Sequence, residues 1–333
     1  MTNSTKFAVI GLGGIAQLVH LPILSKLKDV EIVSVAEVNK NRLNSVAEKF
    51  GIKNKFTDYK ELIAKSDFDA AIIATPTNTH PDIANDFIKA GKDLLIEKPI
   101  ARTFAEAKRI HEFAEKHKRK VMVGMNLRFR PDTMLLKSLI NNGELGDIFY
   151  IKCSWLRKQS SEQKWFLKKS EAGGGVILDL GINLFDLALW LIDFPEVISV
   201  SVKQFYHNTK NVEDSSVGFI RLKNETVINF DVSWSLHSES DGLNLTTYGS
   251  EGTAHLNPLI AYRRVASNQI DLTSRISGSK NLFRKSFENE LKHFVGVLKG
   301  NFPIISSSAD ALKRMKLIEA LYQSAEKNKE IRV

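Results

Sequence analysis

The stretch Phe7-Ala8-Val9-Ile10-Gly11-Leu12-Gly13-Gly14-Ile15-Ala16 runs from a short apolar segment through a glycine-rich turn into a helical pattern. That order predicts a strand, a tight turn and a helix N-terminus. Gly11 permits the turn, Gly13 lets the backbone approach a pyrophosphate, and Ala16 fills the small-residue slot where helix and strand touch. Gly14 and Ile15 open the helix, whose free N–H groups and positive dipole end suit phosphate. A second strand, Glu31–Ala36, ends at Glu37, about 20 residues further on, where a ribose-binding acid belongs. Together these features predict a dinucleotide site.

Working outward, residues 1–125 alternate strand and helix patterns. Strands are expected at Phe7–Ile10, Glu31–Ala36, Ala70–Thr75, Asp93–Glu97 and Val121–Met125, as a doubly wound parallel sheet requires. Pro22 is expected to end or kink the first helix. Thr103–Lys118 reads as a helix whose buried stripe is Phe104, Ala107, Ile110, Phe113 and Ala114.

Residues 126–333 have a different rhythm. Alternating runs at Phe149–Leu156, Val197–Phe205, Ser216–Leu222, Thr226–Ser235 and Gly242–Tyr248 predict a large, mostly antiparallel sheet. Helices at Pro131–Asn141, Ile177–Ile192, Phe283–Leu298 and Ser308–Lys327 frame it. Several strands keep apolar residues on their second face, which makes a homodimer or homotetramer through this sheet an expectation. The fold class is therefore α/β, with a Rossmann domain at 1–125 and an α/β substrate and oligomerisation domain at 126–333.

Composition narrows the partners. A chain of 333 residues suits two domains. Its formal charge of +9 is spread among helices that also carry Glu, which argues against nucleic acid. A residual attraction for an anionic small molecule, such as a sugar phosphate, stays open. No apolar run is expected to reach the roughly 18 residues of a membrane span. The single cysteine, Cys153, suits a reducing compartment, and the first strand lies so near Met1 that a cytoplasmic protein without a leader is expected. Scattered histidines and one cysteine predict no metal site.

Several segments carry candidate chemistry. Glu97-Lys98-Pro99 closes a buried-type strand at the carboxyl edge of the sheet, outside which ligands bind in open α/β folds. A lysine there, beside a cationic nicotinamide, is a general acid or base candidate, whereas the plainer reading is a lysine reaching to solvent. Thr75, Pro76 and Asn78 fall at the same edge and would line the cofactor, with His80 either joining them or only starting a helix. Asn126, Arg128 and Arg130 share one side if that stretch is extended. Asp179, Asn183, Asp186 and Trp190 share one helical face behind Gly173-Gly174-Gly175, a sheltered polar wall beside an apolar stripe. In the loop 157–171, Lys164, Trp165, Lys168 and Lys169 suggest either an acidic ligand or a solvated lid, and Trp165 is a substrate-binding candidate.

GLGGIA, Glu97-Lys98-Pro99, Asn126 with Arg128, and the run GGG-x3-D-x-G-x-N-x2-D resemble the glucose-fructose oxidoreductase / inositol dehydrogenase family of nicotinamide-dependent sugar dehydrogenases. Gly249-Ser250-Glu251-Gly252 and the closing helix 317–325 extend the likeness over nearly the whole chain. The resemblance implies that a sugar or cyclitol lies between the domains, against the nicotinamide and flanked by Lys98 and Asp179. Glu97 and Asn126 then belong to the cofactor site, and Arg128 to the substrate site. The family's usual third member is a histidine one helical turn beyond the aspartate, and this chain has Asn183 there. An amide positions a hydroxyl but cannot shuttle its proton, so that work falls to Lys98. Glu37 would accept from both ribose hydroxyls and repel a 2′-phosphate, favouring NAD, while Lys40 and Arg42 keep NADP open. The resemblance places Arg42 beside the adenine. The expected activity is hydride transfer between nicotinamide and a secondary alcohol or ketone. Two alternatives stand: a dinucleotide-binding sensor with reduced catalysis, and a dehydrogenase of a non-sugar diol or carbonyl.

Overall fold

The computed structural model describes residues 4–158, 164–235, 237, 239–273 and 281–333. The chain divides into two compact units, 1–126 with 284–312, and 127–283 with 313–333. Residues 284–312, which the sequence pattern alone attaches to the second half, therefore pack with the first. Phe294 meets Phe7 edge-on, Lys120 Nζ donates to the Val297 carbonyl, and the Val123 N–H donates to the Ser306 carbonyl. An amphipathic helix carries no label for the sheet it covers.

Six strands form the sheet of the first unit: β1 Thr5–Ile10, β2 Val30–Ala36, β3 Asn54–Phe56, β4 Ala70–Ile73, β5 Asp93–Ile96 and β6 Val121–Val123. Their order is β3-β2-β1-β4-β5-β6, all parallel. The order reverses between β1 and β4, the crevice where such sheets bind ligands. Register makes the edge level, since Ile10 pairs with both Ala36 and Ile73, Ile73 with Ile96, and Ile96 with Val123. The loops that follow these strands therefore emerge side by side.

Gly11 sits at φ +85°, and a Cβ there would lie 2.6 Å from the Ala74 carbonyl oxygen. Only glycine suits this turn. Beyond it the helix does not end at Pro22. Ala16–His20 form a π-helical turn, in which the Leu21 N–H reaches the Ala16 carbonyl, and Leu21–Leu24 continue as α-helix with Pro22 in their first turn. Proline has no N–H to close a helical bond, and it stands just after the π turn, where the hydrogen-bond ladder is already offset by one residue. The helix Phe104–Lys116 starts on Thr103, whose side chain accepts from the Glu106 N–H, and buries Ala107, Ile110 and Ala114. Phe113 of the expected stripe packs instead against His117, the rings tilted by 45°.

In the second unit the described strands are β7 Ile148–Leu156, β8 Val197–Phe205, β9 Ser215–Leu222, β10 Val227–Ser233, β11 Gly242–Gly249, β12 Gly252–Leu256, β13 Ile260–Val265, β14 Asn268–Asp271 and β15 Ile331–Arg332. They form one sheet in the order β14-β13-β12-β11-β7-β10-β9-β8-β15, with β7 and β10 parallel and the other described pairs antiparallel. Phe185, from the buried helix Ile182–Leu191, packs edge-on against Phe230 of β10. The segment Lys169–Leu191 is, against expectation, apolar and long enough by composition to cross a membrane, but 94% of its most apolar window is buried inside the fold, where it is core.

Candidate functional site

In the first unit the carboxyl edge gathers the glycine turn, Glu37, Thr75–Thr79, Glu97-Lys98-Pro99 and Asn126. A Cβ on Gly13 or Gly14 would meet nothing within 4 Å, so the backbone faces open space at the start of the helix. Helix-opening N–H groups have no intrahelical acceptor. That combination fits a pyrophosphate. Glu37 is buried and accepts from the Leu12 N–H at 3.0 Å, the Asn39 N–H at 2.9 Å and Arg42 Nη1 at 3.3 Å. Its carboxylate is thus tied to the glycine turn itself. These residues fit a dinucleotide.

Thr75, half-buried, touches the glycine turn from β4, and the Thr79 hydroxyl donates to its Oγ1 at 2.7 Å. Pro76 is exposed and Asn78 half-buried, both in the 3-10 turn region that precedes the helix His80–Lys89. His80 is placed differently from a cofactor-lining residue. It is 1% exposed, with Nδ1 at 3.0 Å from the Pro99 carbonyl and Nε2 at 2.9 Å from the Thr75 carbonyl. Burial lowers its pKa despite the favourable pull of those carbonyls and of Glu97. His80 ties two edge loops together. Asn126 likewise spends its amide N–H on Ser286 Oγ, at 2.8 Å.

Glu97 stands at the centre of this edge. Its Oε1 lies 2.7 Å from His20 Nε2, and its Oε2 accepts from the Lys98 N–H at 3.2 Å. Burial alone would raise its carboxyl, but the His20 hydrogen bond and charge, with Lys98, outweigh this and hold it below the ordinary range. Lys98 itself is half-buried.

The second unit holds a buried carboxylate of its own. Asp179 lies in a π-helical turn, Ile177–Gly181, that precedes the helix Ile182–Leu191. It is 8% exposed, and its Oδ2 accepts from the indole N–H of Trp234 at 3.1 Å. Asn183 turns its amide N–H back to the Asp179 carbonyl at 2.7 Å, leaving an oxygen acceptor for other work.

Glu213 and its partner Tyr322 explain two of the three glycines ahead of this turn, Gly174 and Gly175. The Glu213 carboxylate accepts from the N–H groups of Gly175 and Ile177 and from the Tyr322 hydroxyl, at 2.8–3.1 Å. A Cβ on Gly175 would sit 2.1 Å from the Glu213 carbonyl oxygen, and one on Gly174 would sit against the Tyr322 hydroxyl oxygen. The glycines let an acid cap the helix start. Burial pushes the Glu213 carboxyl above its ordinary range, against the opposing pull of Tyr322 and the backbone N–H groups.

Arg128 does not line a ligand site. Its guanidinium is fully buried and bidentate to Asp186 (Nε–Oδ2 2.8 Å, Nη2–Oδ1 2.6 Å), which also receives Arg314 Nη1 at 2.6 Å. Phe194 and Trp190 pack against it. The stretch is not extended but forms a 3-10 turn, Asn126–Phe129, so the condition for Asn126, Arg128 and Arg130 to share one side is not met. Arg130 pairs with Asp132. The polar wall of the sequence pattern therefore divides: Asp179 and Asn183 remain together, whereas Asp186 and Trp190 belong to this buried cluster. Trp165 is half-buried and stacked on Phe166, and Lys168 pairs with Glu171. Residues 159–163 of that loop and the Lys164 side chain lie outside the described residues.

Sequence reasoning missed His20, Trp234, Glu213 and Tyr322. Each acts through a partner distant in the chain. The available signals were a histidine on the nucleotide-turn helix and a tryptophan ending a strand.

The fold and site define a nicotinamide-dinucleotide enzyme, and comparison with known proteins agrees. Residues 5–125 match the model of an oxidoreductase family with an NAD-binding Rossmann fold, and 133–255 match the corresponding Gfo/Idh/MocA C-terminal domain. The chain belongs to this Gfo/Idh/MocA family and is an NAD-dependent oxidoreductase. It is 27% identical to D-glucoside 3-dehydrogenase of Escherichia coli (strain K12), covering 98% of this chain and 97% of the relative. It is 28% identical to glucose-6-phosphate 3-dehydrogenase of Bacillus subtilis (strain 168), over 96% and 95%. The solved structure of levoglucosan dehydrogenase with NADH and levoglucosan shares the fold, with a TM-score of 0.90 at 22% identity over 99% of each chain.

Proposed function

We propose that this protein transfers hydride between NAD and a secondary alcohol, or its ketone, on a sugar or cyclitol. The observation that carries the reading is Lys98 on the loop leaving β5, level in register with the glycine turn that leaves β1. Bound NAD supplies the hydride acceptor, held by the glycine turn and Glu37. Lys98 takes the hydroxyl proton as the carbon loses hydride, and in reduction its ammonium returns that proton to the nascent alkoxide. Asp179 and Asn183 orient the substrate hydroxyls, the carboxylate as acceptor and the amide as a group that cannot titrate. The relatives named for glucosides, glucose 6-phosphate and inositol support a polyhydroxylated substrate. The +9 charge leaves room for an anionic one.

The carboxylate of Glu37, fixed against Leu12, favours NAD over NADP, because a 2′-phosphate would meet a buried negative charge. The open sheet face, with Val217, Phe219 and Phe205 exposed, supports homo-oligomerisation. A single cysteine, Cys153, buried in β7 of that sheet, suits a cytoplasmic enzyme. A second reading, a dinucleotide sensor, rests on Asn183, whose amide is committed to a helix carbonyl. A panel of sugars, sugar phosphates and inositols, followed by nicotinamide absorbance, separates the two. Turnover of any member supports the enzyme, and NAD binding without turnover of any supports the sensor.

A further inference from the structure

The first unit holds a buried histidine that the proposed chemistry does not use. His20 is fully buried, its Nε2 lies 2.7 Å from Glu97 Oε1, and its Nδ1 has no hydrogen-bond partner among the described residues. The other oxygen of the same carboxylate receives the Lys98 N–H. One carboxylate thus bridges the nucleotide-turn helix and the backbone of the lysine.

Helix geometry explains how His20 reaches this position. Successive residues of an α-helix advance about 100°. The π turn Ala16–His20, closed by the Leu21 N–H on the Ala16 carbonyl, inserts one residue into that advance. His20 is thereby rotated relative to the glycine turn, onto the side that faces Glu97. Such single-turn insertions often mark functional positions. The titratable groups that face Glu97 are His20 from the first helix and Lys98 from its own loop, and the carboxylate's charge also reaches the buried His80.

We propose that His20 is a positioning residue: through Glu97 it fixes the backbone at residue 98 and so aims the Lys98 side chain at the reacting hydroxyl. The proposal rests on the reading of Lys98 as the proton carrier. His20 exchanges no proton with substrate. Its contribution is geometric, and a displacement of about 1 Å at a reacting group costs on the order of 10²-fold in rate.

The test compares His20→Leu, which removes the hydrogen bond, with His20→Gln, which keeps an N–H donor but does not titrate. With the sugar found in the panel above, His20→Leu should lose about 10²-fold in kcat with KM and NAD affinity near wild type, and His20→Gln should recover most of that loss. Wild-type kcat in His20→Leu, or equal damage in both variants, overturns the proposal. Glu97→Gln reads the same link should His20→Leu fail to fold: lowered kcat with intact NAD binding is expected, and unchanged kcat overturns it. Lys98→Met, assayed alongside, separates the two claims. Normal turnover there removes the Lys98 reading itself, whereas an inactive Lys98→Met beside a fully active His20→Leu removes only the role of His20.

Discussion

Trp234 donates its indole N–H to Asp179 Oδ2 at 3.1 Å, with both side chains buried. A residue ending one strand thereby aims a carboxylate carried by a helical turn 55 residues earlier in the chain. Trp234→Phe keeps the ring volume and deletes the donor, leaving a buried acceptor short of one bond at a cost of about 1–3 kcal/mol. In steady-state kinetics this variant should lose about 10- to 100-fold in kcat/KM, an equivalent of that energy, with NAD affinity unchanged. A wild-type value would show that Asp179 needs no such support.

Arg128 gives the sharpest contrast between a structural and a ligand-binding role. It shares Asp186 with Arg314 deep in the second unit. Arg128→Leu removes two charge-assisted hydrogen bonds to Asp186, each worth about 1.5–3 kcal/mol, while Arg314 still pairs the carboxylate. Arg128→Leu should therefore lower the denaturation midpoint strongly. A variant with wild-type stability and a raised KM would instead restore the substrate-binding role that its sequence position suggests.

Glu37 sets cofactor choice. Glu37→Ser should weaken NAD by about 1.5–3 kcal/mol, the range for hydrogen bonds to a charged group, and should narrow the gap to NADP by removing the repulsion. Titrations with each cofactor measure both effects. A variant that discriminates as wild type does would place the selectivity elsewhere, for example at Lys40.

His80 makes stability depend on pH. Burial lowers its folded pKa from the ordinary value of 6.5. The unfolded chain therefore binds its proton first, so this contribution is present above about pH 6.5 and is lost as pH falls through the lowered folded pKa. Denaturation midpoints of wild type and His80→Gln, followed from neutral toward acid pH, should converge. A constant difference between the two would contradict the neutral, buried state of this ring.

Five strands of the first sheet, β1, β2, β4, β5 and β6, were legible in the sequence because parallel strands buried on both faces read as apolar runs between turn residues. β3 was not, since Asn54–Phe56 is short and largely exposed. β12 to β15 escaped for a similar reason: they are short or polar, and β14 is exposed throughout. Of the candidate site, the glycine turn, Glu37 and Lys98 were readable because they follow strands whose ends lie at one edge. Partnerships were not readable. Nothing in local spacing distinguishes an Arg128 that meets Asp186 from one that meets a sugar, or reveals that Glu213 needs Gly175 to be without a side chain.

The central claim is that Lys98 carries the proton, and the most direct measurement is turnover of Lys98→Met with an accepted sugar, with NAD binding and thermal stability measured on the same preparation. The expected result is a loss of about 10²- to 10⁴-fold in kcat, the usual contribution of a general acid or base, with cofactor affinity and stability retained. A kcat near wild type, with the cofactor bound, would contradict it.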